Sequence, residues 1–171
     1  MTDDKFKALL AEHLGLVHRV AYTYCRDVTE RDDVAQEIVT HLWRCRAQYD
    51  GRQASTWFYR VAINVAISYF RREVRRSGRT EPFDQHAATL GDVATTAAHH
   101  DSMVLRSCIA ELGEMDRGLT LLHLDGNSHA VIAEILGISA SNVATRLTRI
   151  RVAMRRRLDS NSSTQVQGSE Q

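Results

Sequence analysis

Apolar residues recur at Phe6, Leu9, Leu10, Leu14, Val17, Val20, Ala21 and Tyr24. This is the spacing of one helix face, and it predicts a first helix from about Lys5 to Cys25. Ala35, Ile38, Val39 and Leu42 give the inner face of a second helix, with Thr29 and Asp32 as its capping box. After the loop "YDGRQAS", Ser55 is the expected cap of a third helix reaching Arg75. That helix has two apolar flanks, Phe58, Val61, Ala62, Val65 and Tyr69 on one and Tyr59, Ile63, Ala66 and Phe70 on the other. Such a helix is buried on two sides. Between the flanks runs a strip of Trp57, Arg60, Asn64, Ser68 and Arg71.

The stretch Ser77–His100 has no strong period and holds the single proline, so it reads as a flexible linker. Helical pattern resumes at Asp101 and continues to Leu158, and 159–171 has almost nothing to bury. The expected architecture is all-α: a helical domain over 1–76, a linker over 77–100, a second domain over 101–158 and a disordered tail over 159–171.

The second domain carries a recognisable device. Asn127 or Ser128 caps a short helix whose inner positions are Val131, Ile132, Ile135 and Leu136. Gly137 ends it, since glycine closes a helix in the left-handed region at little steric cost, and Ser139 caps the next helix. Short helix, tight turn and capped helix are the sequence form of a helix-turn-helix, whose second helix enters the DNA major groove. At 100° per residue Val143, Leu147, Ile150, Met154 and Leu158 face inward. Thr145, Thr148, Arg149, Val152 and Arg156 face outward, where they can reach base edges. Arg146, Arg151 and Arg155 flank them, better placed for phosphates.

Charge sharpens the picture. The net formal charge of the 171 residues is only +1, yet it alternates: −2 over Met1–Asp50, +6 over Gly51–Thr80, −6 over Glu81–Asp125 and +5 over Gly126–Leu158. Two basic blocks suggest two contacts with a polyanion, and the acidic blocks suggest other surfaces or partners. Arginines beside aromatic rings on the third helix suit unpaired bases, which stack while the backbone is neutralised. On the second helix Asp33, Gln36, Glu37 and Thr40 form a polar strip opposite the apolar face, suited to solvent or to a protein.

Other classes are disfavoured. No apolar run reaches the ~20 residues of a membrane span, and the first residues lack a signal-peptide layout, so a cytoplasmic location without membrane insertion is expected. Cys25, Cys45 and Cys108 are widely separated and read as reduced thiols. The histidines form no zinc-protease spacing, and neither a nucleophile triad nor a phosphate-binding glycine loop is present. No metal, cofactor or catalysis is expected of this chain.

"RDDVAQEIVTHLWR", "STWFYRVAINVAISYFRRE" and "SHAVIAEILGISASNVATRLTRIRVAMRR" occur in that order. Together they resemble the bacterial extracytoplasmic-function (ECF) sigma factors, the minimal two-domain RNA polymerase specificity subunits of the sigma-70 family. The resemblance implies an alternative sigma factor whose partners are core polymerase (its β′ and β subunits), promoter DNA and an anti-sigma factor. It assigns Asp33, Gln36, Glu37 and Thr40 to docking on a β′ coiled coil. Trp57, Arg60, Asn64, Ser68, Arg71 and Arg72 fall at positions that recognise the minus-ten element as its strands separate. Ser139, Asn142, Ala144, Thr145, Arg146, Thr148 and Arg149 fall on the helix-turn-helix that reads the minus-thirty-five element. Ser68 stands where the family usually has an acid, and Ala144 where a basic residue is frequent, so the preferred promoter sequence is expected to differ. The competing expectation is a helix-turn-helix regulator that binds duplex DNA without polymerase. It leaves the strip on the third helix unexplained.

Overall fold

The computed structural model describes residues 2–25, 27–77 and 104–167, with side chains described to 76 and, in the second half, to 157. Seven α-helices lie in this part of the chain: α1 (Asp3–Tyr24), α2 (Val28–Cys45), α3 (Ala54–Ser77), α4 (104–110), α5 (Glu114–Leu124), α6 (His129–Leu136) and α7 (Ala140–Gln167). A 3-10 turn, Arg46–Gln48, follows α2, and no strand occurs among the described residues.

Helix α1 begins two residues before Lys5, with Asp3 and Asp4 in its first turn, where the helix dipole favours acids. Helix α2 is capped by Asp27, whose side chain accepts from the Thr29 backbone N–H at 3.3 Å. Thr29 therefore lies inside the helix, and the expected capping box is replaced by this simpler cap. Nor does Ser55 cap α3. The helix starts at Ala54, Gln53 before it takes a left-handed φ of 40°, and Ser55 Oγ lies 3.4 Å from His13 Nε2.

Helices α1, α2 and α3 pack around Phe6, Val17, Val20, Val34, Ile38, Leu42 and Phe58, all completely buried. Their entrance end is aromatic: Phe6 meets Trp43 edge-on at 5.3 Å, and Trp57 and Phe58 lie 5.3 Å apart. The predicted first flank of α3 faces this core. The second flank, with Tyr59 and Ile63 nearly inaccessible, is covered by the C-terminal half instead.

That half is built as the sequence indicates. Ser128 caps α6 by accepting from Val131 N–H at 3.3 Å, which settles the choice between Asn127 and Ser128. Gly137 closes α6 at φ 68°, ψ 33°, and Ser139 accepts from Asn142 N–H at 3.2 Å to cap α7. Val143, Leu147 and Ile150 are buried beneath α5 and α6, with Met154 half-buried. Helix α7 continues to Gln167, so the helix extends through most of the 159–171 segment expected to be disordered. No glycine or proline interrupts it before Gly168.

The expected linker lies almost wholly in 78–103, outside the described residues. The two halves it joins share one continuous core, in which Leu119, Leu122 and Ile132 join Tyr24, Ile63 and Ala66. Among the described residues no single helix is long and apolar enough to cross a membrane.

Candidate functional site

Three surfaces carry the residues singled out by sequence. On α2, Asp33, Gln36 and Thr40 are exposed and Glu37 is half-buried. The strip is not purely acidic, because both Glu37 carboxylate oxygens accept from Arg72 of α3 at 2.7 Å. Beside it lies an open cleft of about 640 Å³, whose walls include Asp33, Glu30, Arg72 and Arg76. The candidate docking strip and one candidate DNA-binding arginine are thus joined.

On α3, Arg60, Asn64, Ser68 and Arg71 are exposed along one line, as the strip requires. Ser68 donates back to the Asn64 carbonyl at 2.8 Å and carries no charge of its own. Trp57 is half-buried, its ring 5.3 Å from Tyr49 and edge-on to Phe58. It anchors the core while leaving part of the indole open, a combination suited to holding an unstacked base.

Two strip arginines are already engaged by the other half of the chain. Arg71 Nε donates to both Glu114 carboxylate oxygens, at 2.8 and 2.9 Å, and its Nη2 also bonds to Glu114. Arg60 Nη2 donates to the Glu134 side chain at 3.1 Å and to its carbonyl at 3.2 Å. Next to them Tyr59 donates to Asp125, which also accepts from Arg19 Nε at 3.1 Å. Sequence reading missed Glu114, Asp125 and Glu134 as partners. The signal was present in the alternating charge blocks, since the acidic block over 81–125 contains two of the three carboxylates.

Two tyrosines lock this contact. Tyr24 Oη donates to the Glu114 carbonyl at 2.8 Å, and burial pushes its phenol well above the ordinary range. Burial, reinforced by Asp125, raises Tyr59 from 10.0 to about 12. Ionisation is therefore easier in the unfolded chain. The stability contributed by neutral Tyr59 is present below pH 10 and is lost as pH climbs from 10 to about 12. Denaturant midpoints measured across that interval are expected to fall more steeply for the wild type than for Tyr59→Phe.

On α7, Thr145, Thr148 and Arg149 are exposed and Ala144 is half-buried. Arg149 has no carboxylate partner among the described residues, so its five donors are free for a base edge or phosphate. Thr145 and Thr148 donate to the carbonyls of Ser141 and Ala144, both at 3.0 Å. Arg146 is different: half-buried, it pairs with Asp116 of α5. It ties α7 to α5, at a position the sequence expects to contact DNA. Of the flanking arginines, Arg151 reaches His123 at 3.0 Å.

Comparison with known proteins matches residues 9–76 to the family model for sigma-70 region 2 and residues 102–154 to that for sigma-70 region 4. The ECF RNA polymerase sigma factor SigE of Mycolicibacterium smegmatis is 25% identical over 94% of this chain, which spans 64% of that protein's length. SigW of Bacillus subtilis is 26% identical, covering 91% of this chain and 89% of its own. The sigma-E factor of Escherichia coli is 26% identical over 80% of this chain and 79% of its own. Two solved structures share the fold. The Bartonella quintana sigma factor RpoE, in complex with the anti-sigma factor NepR, aligns with a TM-score of 0.74 at 18% identity, covering 91% of this chain and 97% of RpoE. CnrH, in complex with the cytosolic domain of CnrY, aligns at 0.68 and 22%, covering 93% and 90%.

Proposed function

The chain belongs to the ECF class of the sigma-70 family of RNA polymerase sigma factors, and from that premise we propose that it is an alternative sigma factor delivering core polymerase to a specific set of promoters. The observation that carries the reading is the presence, in one chain, of a helical unit with an arginine–aromatic strip and a helix-turn-helix whose second helix exposes Arg149. A duplex-binding regulator needs only the second.

Each surface then has a task. Asp33, Gln36, Glu37 and Thr40 dock on the β′ coiled coil, and the C-terminal half engages β. Asn64 and Ser68 offer hydrogen-bonding groups, and Trp57 a ring face, to the minus-ten strand as it separates. Arg60, Arg71 and Arg72 neutralise its backbone. Taking a base out of the stack costs a few kcal/mol, which stacking and hydrogen bonds on this strip offset. Thr145, Thr148 and Arg149 read the minus-thirty-five duplex from the major groove, while Ser139 and Asn142 at the start of α7 sit near the backbone. The sigma subunit contributes recognition and strand opening, and RNA synthesis belongs to the polymerase. RpoE is bound to the anti-sigma factor NepR and CnrH to the cytosolic domain of CnrY in their complexes, and we extend to this chain an anti-sigma partner and a cytoplasmic site of action.

Transcription from fragmented genomic DNA, with core polymerase plus or minus this chain, tests the reading. Transcripts starting at defined sites only in its presence are expected. Duplex binding by the chain alone, with no new transcripts, would instead indicate the regulator. Once a promoter is known, Arg149→Ala is expected to lose about 1–3 kcal/mol of discrimination at one minus-thirty-five base pair. Binding of core polymerase should be unchanged, and measuring transcription from promoters mutated at each position checks both.

A further inference from the structure

We propose that Glu111 and Asp116 are positioning residues for minus-thirty-five reading: through Arg157 and Arg146 they clamp one edge of α7 to the α4–α5 corner and set the rotation at which Arg149 meets its base pair. The clamp stands on geometry; its consequence for promoters rests on the sigma-factor reading. Arg146 pairs with Asp116 in the first turn of α5, and Arg157 pairs with Glu111 in the turn before that helix. The two arginines are eleven residues apart, which returns them to within about 20° of each other around the helix axis. They form a single edge of α7, and both reach carboxylates of one short corner. That corner is held from inside. Buried Arg117 donates through Nε to the Leu112 carbonyl at 2.8 Å and through Nη2 to the Ala110 carbonyl. The Leu112 N–H donates to the Ile109 carbonyl at 3.0 Å, and Thr120 donates to the Asp116 carbonyl at 2.7 Å. The backbone on both sides of Glu111 and at Asp116 is thereby fixed.

Rotation matters because the packing beneath α7 does not set it finely. Val143, Leu147 and Ile150 decide which face turns inward, but apolar contact is non-directional. A side-chain tip ~6 Å from the helix axis moves about 1 Å for a 10° rotation. That is enough to lose hydrogen bonds confined to about 2.7–3.2 Å. Arg149 projects about 60° from the clamped edge, so it turns with that edge while staying exposed outside the clamp. Carboxylates repel phosphate, and these two are carried outside the reading helix, so their influence on base choice passes through α7.

The test uses the full chain with core polymerase. Its probe is the duplex this assembly selects from a randomised pool, with copies altered at each base pair of the element read by the helix-turn-helix. The base pair that Arg149→Ala ceases to discriminate marks the Arg149 contact. Glu111→Gln with Asp116→Asn is expected to cut discrimination at that base pair about tenfold, a loss comparable with that of a good base contact. Arg146→Gln should lose the same discrimination while the slope of log affinity against log salt stays unchanged, because a lost phosphate contact lowers that slope by about one. Exchanging the charges, Asp116→Arg with Arg146→Asp, should restore discrimination to within about threefold of wild type. Thermal midpoints should stay within roughly 3 °C throughout, since partly exposed ion pairs add little to stability. Discrimination within about twofold of wild type in the carboxylate variant would overturn the clamp. That variant leaves α7 untouched, so it decides alone if Arg146→Gln loses its helical circular dichroism. A salt slope lowered by about one in Arg146→Gln, with no recovery in the exchanged pair, would make Arg146 a phosphate contact and overturn its positioning role. Failure of the sigma-factor reading registers separately, as no polymerase-dependent transcript from the selected duplex, and leaves the discrimination readout intact.

Discussion

Phe58→Ala is expected to cost about 3–5 kcal/mol of folding stability, the range for removing a fully buried phenylalanine. Phe58 has no exposed surface and lies at the meeting point of α1, α2 and α3. Its ring stacks on His13 at 4.5 Å, faces Phe6 at 6.3 Å and receives Trp57 edge-on. Truncation therefore leaves a cavity lined by rigid rings, which collapse poorly onto it, so the upper part of the range applies. Thermal unfolding should shift by roughly 10–15 °C for a domain this size. Because Trp57 leans on Phe58, the variant should also impair the minus-ten strip in whatever fraction stays folded. A calorimetric midpoint within about 3 °C of wild type would refute the packing described.

Where a residue's fate depends on its own helix, the sequence already shows it. Val143, Leu147 and Ile150 go inward and Thr145, Thr148 and Arg149 outward because the 3.6-residue period fixes direction once the helix is granted. Gly137 and Ser139 act within a few residues of themselves, and both behave as read. The second apolar flank of α3 was equally visible, for Tyr59, Ile63, Ala66 and Phe70 share a face with no polar residue among them. Its cover was not visible. Nothing local to Ile63 says that Gly118, more than fifty residues later, will pack tightly against it. The ion pairs Arg71–Glu114 and Arg60–Glu134 join distant segments in the same way. Periodicity yields faces; which face meets which is a property of the packed chain. Arg146 makes the point within one domain: its position suggested phosphate, and Asp116 on the neighbouring helix claims it.

Reversing the strip on α2, Asp33→Arg with Glu37→Arg, is expected to weaken core polymerase binding by ~30-fold or more. Removing one partner of a buried interfacial charge pair costs about 2–5 kcal/mol, and reversal adds repulsion. Both positions sit on the outer face of α2, opposite buried Val34, Ala35 and Ile38, so folding should change little. The two substitutions are not equivalent, however. Asp33 lines the cleft beside Arg72 and Arg76, whereas Glu37 holds Arg72 directly through two bonds of 2.7 Å. Glu37→Arg thus also releases Arg72 and sets two guanidinium groups against each other, disturbing the adjoining minus-ten strip. Asp33→Arg alone should affect docking only. Combining Glu37→Arg with Arg72→Glu should restore the ion pair, and with it the position of α3, without restoring the docking charge. Polymerase affinity that recovers fully in that swapped variant would mean that Glu37 matters only through Arg72, and the docking role would pass to Asp33 and its neighbours.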